Sequence, residues 1–187
     1  MPSNIAGADL LAVIDLQEAF RAGPWAAAGL EGIVGPVDQL AARFGPRTRF
    51  TRFVPPPDPT GSWIPYYERW PFALEPEAAG GWELVEPFRS RAPRTVDRPT
   101  FSKWGPELAE DLGMGGALVL CGAATDCCVL ATALGAVDAG AAVRVVADAC
   151  AGSTPEAHDH ALALLEAFAP QVEITSLAYE LDTPPRG

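Results

Sequence analysis

Two residue types in this sequence stand where chemistry is usually done. Asp15 closes the apolar run Asp9-Leu-Leu-Ala-Val-Ile-Asp15, the pattern of a parallel strand buried on both faces. Cys128 lies in Gly122-Ala-Ala-Thr-Asp-Cys-Cys-Val129, just after the apolar run Ala117-Leu-Val-Leu-Cys121. A carboxylate at the end of an apolar strand needs a partner for its charge. A thiol in the first turn of a helix sits among backbone N–H groups that have no intrahelical acceptor. Those groups favour negative charge, so the spacing predicts a thiol whose pKa falls toward a reactive thiolate. The same donors can hold an oxyanion. Thr125 or Asp126 is placed to cap the helix. A thiol nucleophile with a carboxylate to take its proton is the equipment of acyl transfer.

The surrounding elements must bring the two together. Residues 33–44 place Ile33, Val37, Leu40, Ala41 and Phe44 at helical spacing and stop at Gly45-Pro46. Residues 48–54 read as a second strand, ended by Pro55-Pro56-Pro57, and residues 94–97 as a brief third. A short helix over 107–112 precedes the fourth strand at 117–121. A small-residue helix over 127–139 ends at Gly140, and strands over 142–147 and 172–177 flank a helix over 155–168. Strands alternating with helices predict an α/β fold, a three-layer αβα domain around a six-stranded, mostly parallel sheet. In the doubly wound order 3-2-1-4-5-6, strands 1 and 4 are neighbours at the switch point, so Asp15 and Cys128 would face one crevice.

The regular alternation breaks at residues 55–93. This stretch holds nine prolines, three of the five tryptophans (Trp63, Trp70 and Trp82) and the pair Tyr66-Tyr67. A loop so long inside a compact domain is usually functional or disordered, and its aromatic content argues against disorder. It either packs extra core onto the sheet or forms a lid or oligomer contact. Phe20, Trp25, Trp63, Tyr66, Trp70 and Trp104 are pocket candidates by position, with core packing the plain alternative for each.

Bulk properties bound the partners. With 187 residues, 49% of them hydrophobic, the chain makes a single domain over 1–187. A net charge of −11 argues against nucleic acid or an anionic membrane as partner. No apolar run approaches the roughly 20 residues of a membrane-spanning helix. Residues 1–7 lack the basic and apolar regions of a signal peptide. All four cysteines fall between 121 and 150, too clustered for a disulfide scaffold, which points to free thiols in the cytoplasm.

Two stretches carry a family resemblance. Val13-Ile-Asp15-Leu-Gln17 with Phe20, and Gly122-Ala-Ala-Thr-Asp-Cys-Cys-Val129 continuing through Thr132, Ala133 and Asp148-Ala149, resemble the isochorismatase-like cysteine hydrolases, of the kind that includes N-carbamoylsarcosine amidases and nicotinamidases. The resemblance implies Asp15 as proton acceptor, Cys128 as nucleophile and a lysine completing a catalytic triad. It also implies a cis peptide at Ala123–Ala124, with the N–H groups of Ala124 and Cys128 as oxyanion hole. The family's lysine stands a few residues before a Ser-x-aromatic element. Arg98-Pro-Thr-Phe-Ser102-Lys-Trp104 matches that element and puts Arg98 in the lysine position, with Lys103 as the alternative. Metal-binding relatives use an Asp and several His after the second strand; Asp58 is present there, but the only histidines are His158 and His160. No metal and no cofactor are therefore expected. The resemblance further implies a homo-oligomer, dimer or tetramer, acting on a small molecule.

The reaction this implies is hydrolysis of a non-peptide C–N bond (amide, carbamoyl or ureido) through a Cys128 thioester. Alternatives are ester or lactam hydrolysis, an impaired binding protein on the same fold, and a redox role for Cys127-Cys128. Cys121 and Cys150 read as core residues. Asp126 reads as a cap, Asp148 as a turn residue, and the two histidines as solvated.

Overall fold

A computed structural model describes residues 8–91 and 93–183; residues 1–7, read above for a leader, lie outside the described residues. The chain alternates strand and helix. β1 (Leu10–Ile14), α1 (Leu30–Phe44) and β2 (Thr48–Phe53) are followed by α2 (Trp63–Arg69), α3 (Phe88–Arg91) and β3 (Thr95–Arg98). Then come α4 (Pro106–Leu112), β4 (Ala117–Ala123), α5 (Leu130–Asp138), β5 (Ala142–Ala151), α6 (Pro155–Glu166), β6 (Val172–Thr175) and α7 (Leu177–Asp182). The six strands form one sheet in the order β3-β2-β1-β4-β5-β6, every pair parallel.

Burial follows from that order. β1 and β4 lie at the centre, and all their residues are buried, which is why both read as unbroken apolar runs. α1 turns Leu30, Ile33, Val37, Leu40 and Phe44 inward, one face of a 3.6-residue period, and packs against β1, β4, β5 and α7. Each such fully buried side chain contributes about 1.5–3 kcal/mol of transfer free energy. Gly122, paired with Ile14, cannot be replaced: φ is +111°, and a Cβ there would lie 2.1 Å from the Ile14 carbonyl oxygen.

β5 is longer than the 142–147 read from sequence. A register shift between Leu120 and Gly122 lets the strand re-pair as Gly122 with Cys150 and Ala123 with Ala151. The extension carries Ser153 to the crevice. It also keeps Asp148 inside the strand, where its carboxylate accepts the Leu177 N–H at 2.7 Å rather than shaping a turn.

Residues 55–93 are not structureless. Beyond α2 and α3 they hold 3₁₀ turns at Pro71–Leu74 and Pro76–Trp82, and they bury Tyr67, Ala73, Leu84, Val85 and Phe88. Gln17 anchors them. Its fully buried amide donates to the carbonyls of Phe53 (3.1 Å) and Trp82 (2.7 Å), and its oxygen accepts the Phe53 N–H at 2.8 Å. At the opposite end of the strands, Arg144 pairs with Asp9 (2.9 Å) and Glu180 (2.8 Å), tying α7 to the sheet. That buried cluster holds the base of the sheet, leaving the carboxyl ends of the strands for the site.

Candidate active site

Asp15 follows β1 with φ of 43°, a left-handed conformation that Asp tolerates better than most residues. Thr51 on β2 fixes its carboxylate. The Thr51 hydroxyl donates to Oδ1 at 2.6 Å and accepts the Asp15 N–H at 3.2 Å. Oδ2 faces Nζ of Lys103 at 3.0 Å, and neither side chain reaches solvent. Two charges in so dry a place persist only when each satisfies the other. The ammonium also donates to the Thr100 carbonyl and lies 4.7 Å from the centroid of the Phe53 ring, within cation–π range.

This geometry corrects the position given above to Arg98. Arg98 ends the edge strand β3 and pairs with Glu107 on α4, away from Asp15. The chain then turns through residues 99–102 and delivers Lys103 inward. No periodicity in that irregular stretch indicates which side chain points inside.

Cys128 is 3% exposed, in the π-helical turn Thr125–Val129 that leads into α5. The helix therefore starts as a widened turn rather than as regular α-helix at residue 127. Neither Thr125 nor Asp126 caps it. The Ala124 carbonyl instead accepts the N–H groups of Cys127 and Val129, both at 3.1 Å. Thr132, one turn after Cys128, ties the backbone at Cys128 to that at Lys103: its hydroxyl donates to the Cys128 carbonyl at 2.6 Å and accepts the Lys103 N–H at 2.9 Å. The peptide bond between Ala123 and Ala124 is cis.

The thiol does not follow the helix-start expectation. Its contact with Cys127, its burial and the Asp15 carboxylate push the Cys128 pKa well above the ordinary thiol value, against a smaller pull from Lys103. The same contact moves Cys127 down. The Asp15 carboxylate is among the groups whose charge acts on this thiol.

Above the thiol is a cavity of about 180 Å³. Phe20, Trp25, Phe53, Tyr66 and Phe101 line it, together with Ala124, Asp126, Cys127, Cys128 and Ser153. Trp25 is the hub of the rings, with Phe72 at 5.0 Å and Phe53 at 5.8 Å between centroids. Burial beside the cysteines raises the Tyr66 phenol pKa. Of the pocket candidates, Trp63, Trp70 and Trp104 do not line the cavity. Trp63 packs behind on Phe101, Trp70 on the edge of Trp25, and Trp104 lies by the surface depression around Met114. Phe53 and Phe101 had no such signal, since core and pocket aromatics look alike in sequence.

Asp126 is held by Ser153, whose N–H donates at 2.7 Å and whose hydroxyl donates at 2.6 Å. His158 is not free in solvent either; its Nδ1 lies 2.8 Å from the Thr125 hydroxyl. Among the described residues, no three His, Cys, Asp or Glu side chains converge as metal ligands. Among the described residues the donor set does not fit a metal.

A thiol, a buried carboxylate–ammonium pair and a small pocket at the switch point of a 3-2-1-4-5-6 sheet define a hydrolase of the isochorismatase-like class. The Isochorismatase domain family matches residues 9–176, and the chain belongs to that family. Among solved structures it is similar to a cysteine hydrolase from Pseudomonas syringae pv. phaseolicola (TM-score 0.76, 21% identity, covering 96% of this chain and 92% of that one). It is also similar to an N-carbamoylsarcosine amidase from Thermoplasma acidophilum (0.69, 22%, covering 90% and 96%). A third is a pyrazinamidase from Pyrococcus horikoshii in complex with zinc (0.68, 26%, covering 90% and 98%). A comparison with curated protein sequences returned no match.

Proposed function

We propose that this protein hydrolyses a non-peptide C–N bond of a small amide, carbamoyl or ureido compound, with Cys128 as nucleophile. The observation that carries the reading is the solvent-free pairing of Asp15 with Lys103 beside the buried Cys128 thiol at the foot of a small cavity.

In this mechanism Asp15 takes the Cys128 proton as the thiolate attacks the substrate carbonyl. The N–H groups of Ala124 and Cys128 stabilise the tetrahedral oxyanion; one such donor is typically worth about 10²–10³ in rate. The C–N bond breaks as protonated Asp15 returns the proton to the leaving amine. Asp15 then takes a proton from water, whose oxygen attacks the thioester carbonyl. The C–S bond breaks and the Cys128 sulfur is reprotonated. Lys103 touches no substrate here. It holds the carboxylate in place and lowers the cost of the thiolate, and Thr51 and Thr132 position the pair and the nucleophile.

The amidase named among the structural relatives supports a C–N bond over an ester. We place the enzyme in the cytoplasm as a dimer or tetramer, with neither nucleic acid nor membrane as partner; no helix among the described residues is long and apolar enough to cross a membrane. An ammonia-release screen over a panel of small amides tests the reading. Release by the wild type and its loss in Cys128→Ser and Asp15→Asn are expected. Full activity in either variant contradicts it.

A further inference from the structure

The cavity lining differs in charge from what an anionic substrate would require. Phe20, Trp25, Phe53, Tyr66 and Phe101 present rings, and Asp126 is the one charged side chain among the described residues that line it. No Lys, Arg or His lines the cavity among those residues; Lys103 lies behind Phe53 and is committed to Asp15 and Thr100. Asp126 is not a loose surface carboxylate. Ser153 fixes each of its oxygens with one hydrogen bond, which leaves further lone pairs for a ligand. Aromatic faces carry negative quadrupole charge and attract cations, more so where water is excluded. A carboxylate entering this space would lose its hydration, meet Asp126 and find no cation to pair with.

Resting on the hydrolase reading above, we propose that the substrate is a small carboxamide or ureido compound with a cationic group remote from the scissile bond and no carboxylate. The scissile carbonyl sits over Cys128, and the cation lies among the rings toward Asp126. Asp126 is then a specificity-determining residue. It takes no part in the chemical step, which Asp15 and Cys128 carry.

The test is calorimetric binding to the non-turning-over Cys128→Ala protein, repeated with Cys128→Ser. The probes are 4-(aminomethyl)benzamide, benzamide and 4-carboxybenzamide, which share a scissile group and differ in charge. Expected is affinity in that order, with the cation about tenfold or more tighter than the anion. The net charge of −11 attracts any cation to some degree, so two further substitutions isolate the pocket. Adding Asp126→Asn should weaken the cation about fivefold and strengthen the anion about fivefold, each the effect of one unit charge at contact distance in high dielectric, so the cation-to-anion ratio should fall by up to about 25-fold. Adding Ser153→Ala, which keeps the charge, should preserve the ratio. The inference is overturned if the anion binds as well as the cation, if no probe binds, if Asp126→Asn leaves the ratio unchanged, or if Ser153→Ala lowers it equally. Ordered binding with no ammonia release from any amide by the wild type would contradict the hydrolase reading and leave the pocket inference standing.

Discussion

Nζ of Lys103 stands 3.0 Å from Oδ2 of Asp15 with both side chains fully buried. Each needs the other. Lys103→Met should cost about 3–5 kcal/mol of stability, because the Asp15 carboxylate is left uncompensated. Turnover should fall about 10²-fold or more as the base loses its orientation. Arg98→Ala should leave turnover within about twofold of wild type, since its ion pair with Glu107 is partly solvated. Denaturant unfolding and amide hydrolysis, measured on the two variants side by side, check the contrast. The reverse ranking would return the lysine role to Arg98.

Thr132 is a buried hydroxyl that serves two backbones at once. Thr132→Val removes both hydrogen bonds and leaves the Lys103 N–H buried without an acceptor, at a cost of about 1–3 kcal/mol. Thr132→Ser keeps the hydroxyl and should restore most of the lost turnover. If valine and serine behave alike in kcat, the link between Lys103 and Cys128 has no positioning role.

Alkaline pH should destabilise the fold through its buried thiols. Burial raises the Cys150 thiol from 9.0 to about 12, and Cys121 is raised as well. The folded state therefore holds these protons more tightly than the unfolded chain. Below pH 9 both states are protonated. Between pH 9 and about 12 the unfolded thiol ionises while the folded one does not, so stability falls as pH rises, by about 1.4 kcal/mol per unit per group. Urea unfolding at pH 8, 9, 10 and 11 should show this decline, and Cys150→Ala should flatten it by one group's share. An unchanged slope in the variant would sink the assignment.

Gln17 couples the 55–93 segment to the sheet. Gln17→Leu should loosen that segment, exposing residues 71–85 to faster hydrogen exchange while β1 and β4 stay protected. Uniform protection across both regions would show that the rings alone hold the segment.

The sequence conveys the strands and their order well because β1 and β4 are buried on both faces and so read as unbroken apolar runs. The placement of Asp15 and Cys128 at one crevice follows from that order alone. What was not legible depends on irregular backbone. Whether Arg98 or Lys103 turns inward is decided by residues 99–102, which have no period. The extension of β5 to Ala151 depends on a register shift with no sequence mark, and it is this shift that brings Ser153 to Asp126. The pull of a helix start on the thiol was legible too, but the opposing contact with Cys127, the burial and the Asp15 charge belong to tertiary packing. Those terms win.

The central claim is that an acyl group passes through Cys128. Acid quenching during turnover of an amide found in the screen, followed by peptide mass spectrometry, reads this directly. An adduct of the acyl mass is expected on Cys128, absent from Cys127 and lost with Cys128→Ala together with all ammonia release. Undiminished turnover in Cys128→Ala, or an adduct confined to Cys127, would contradict it.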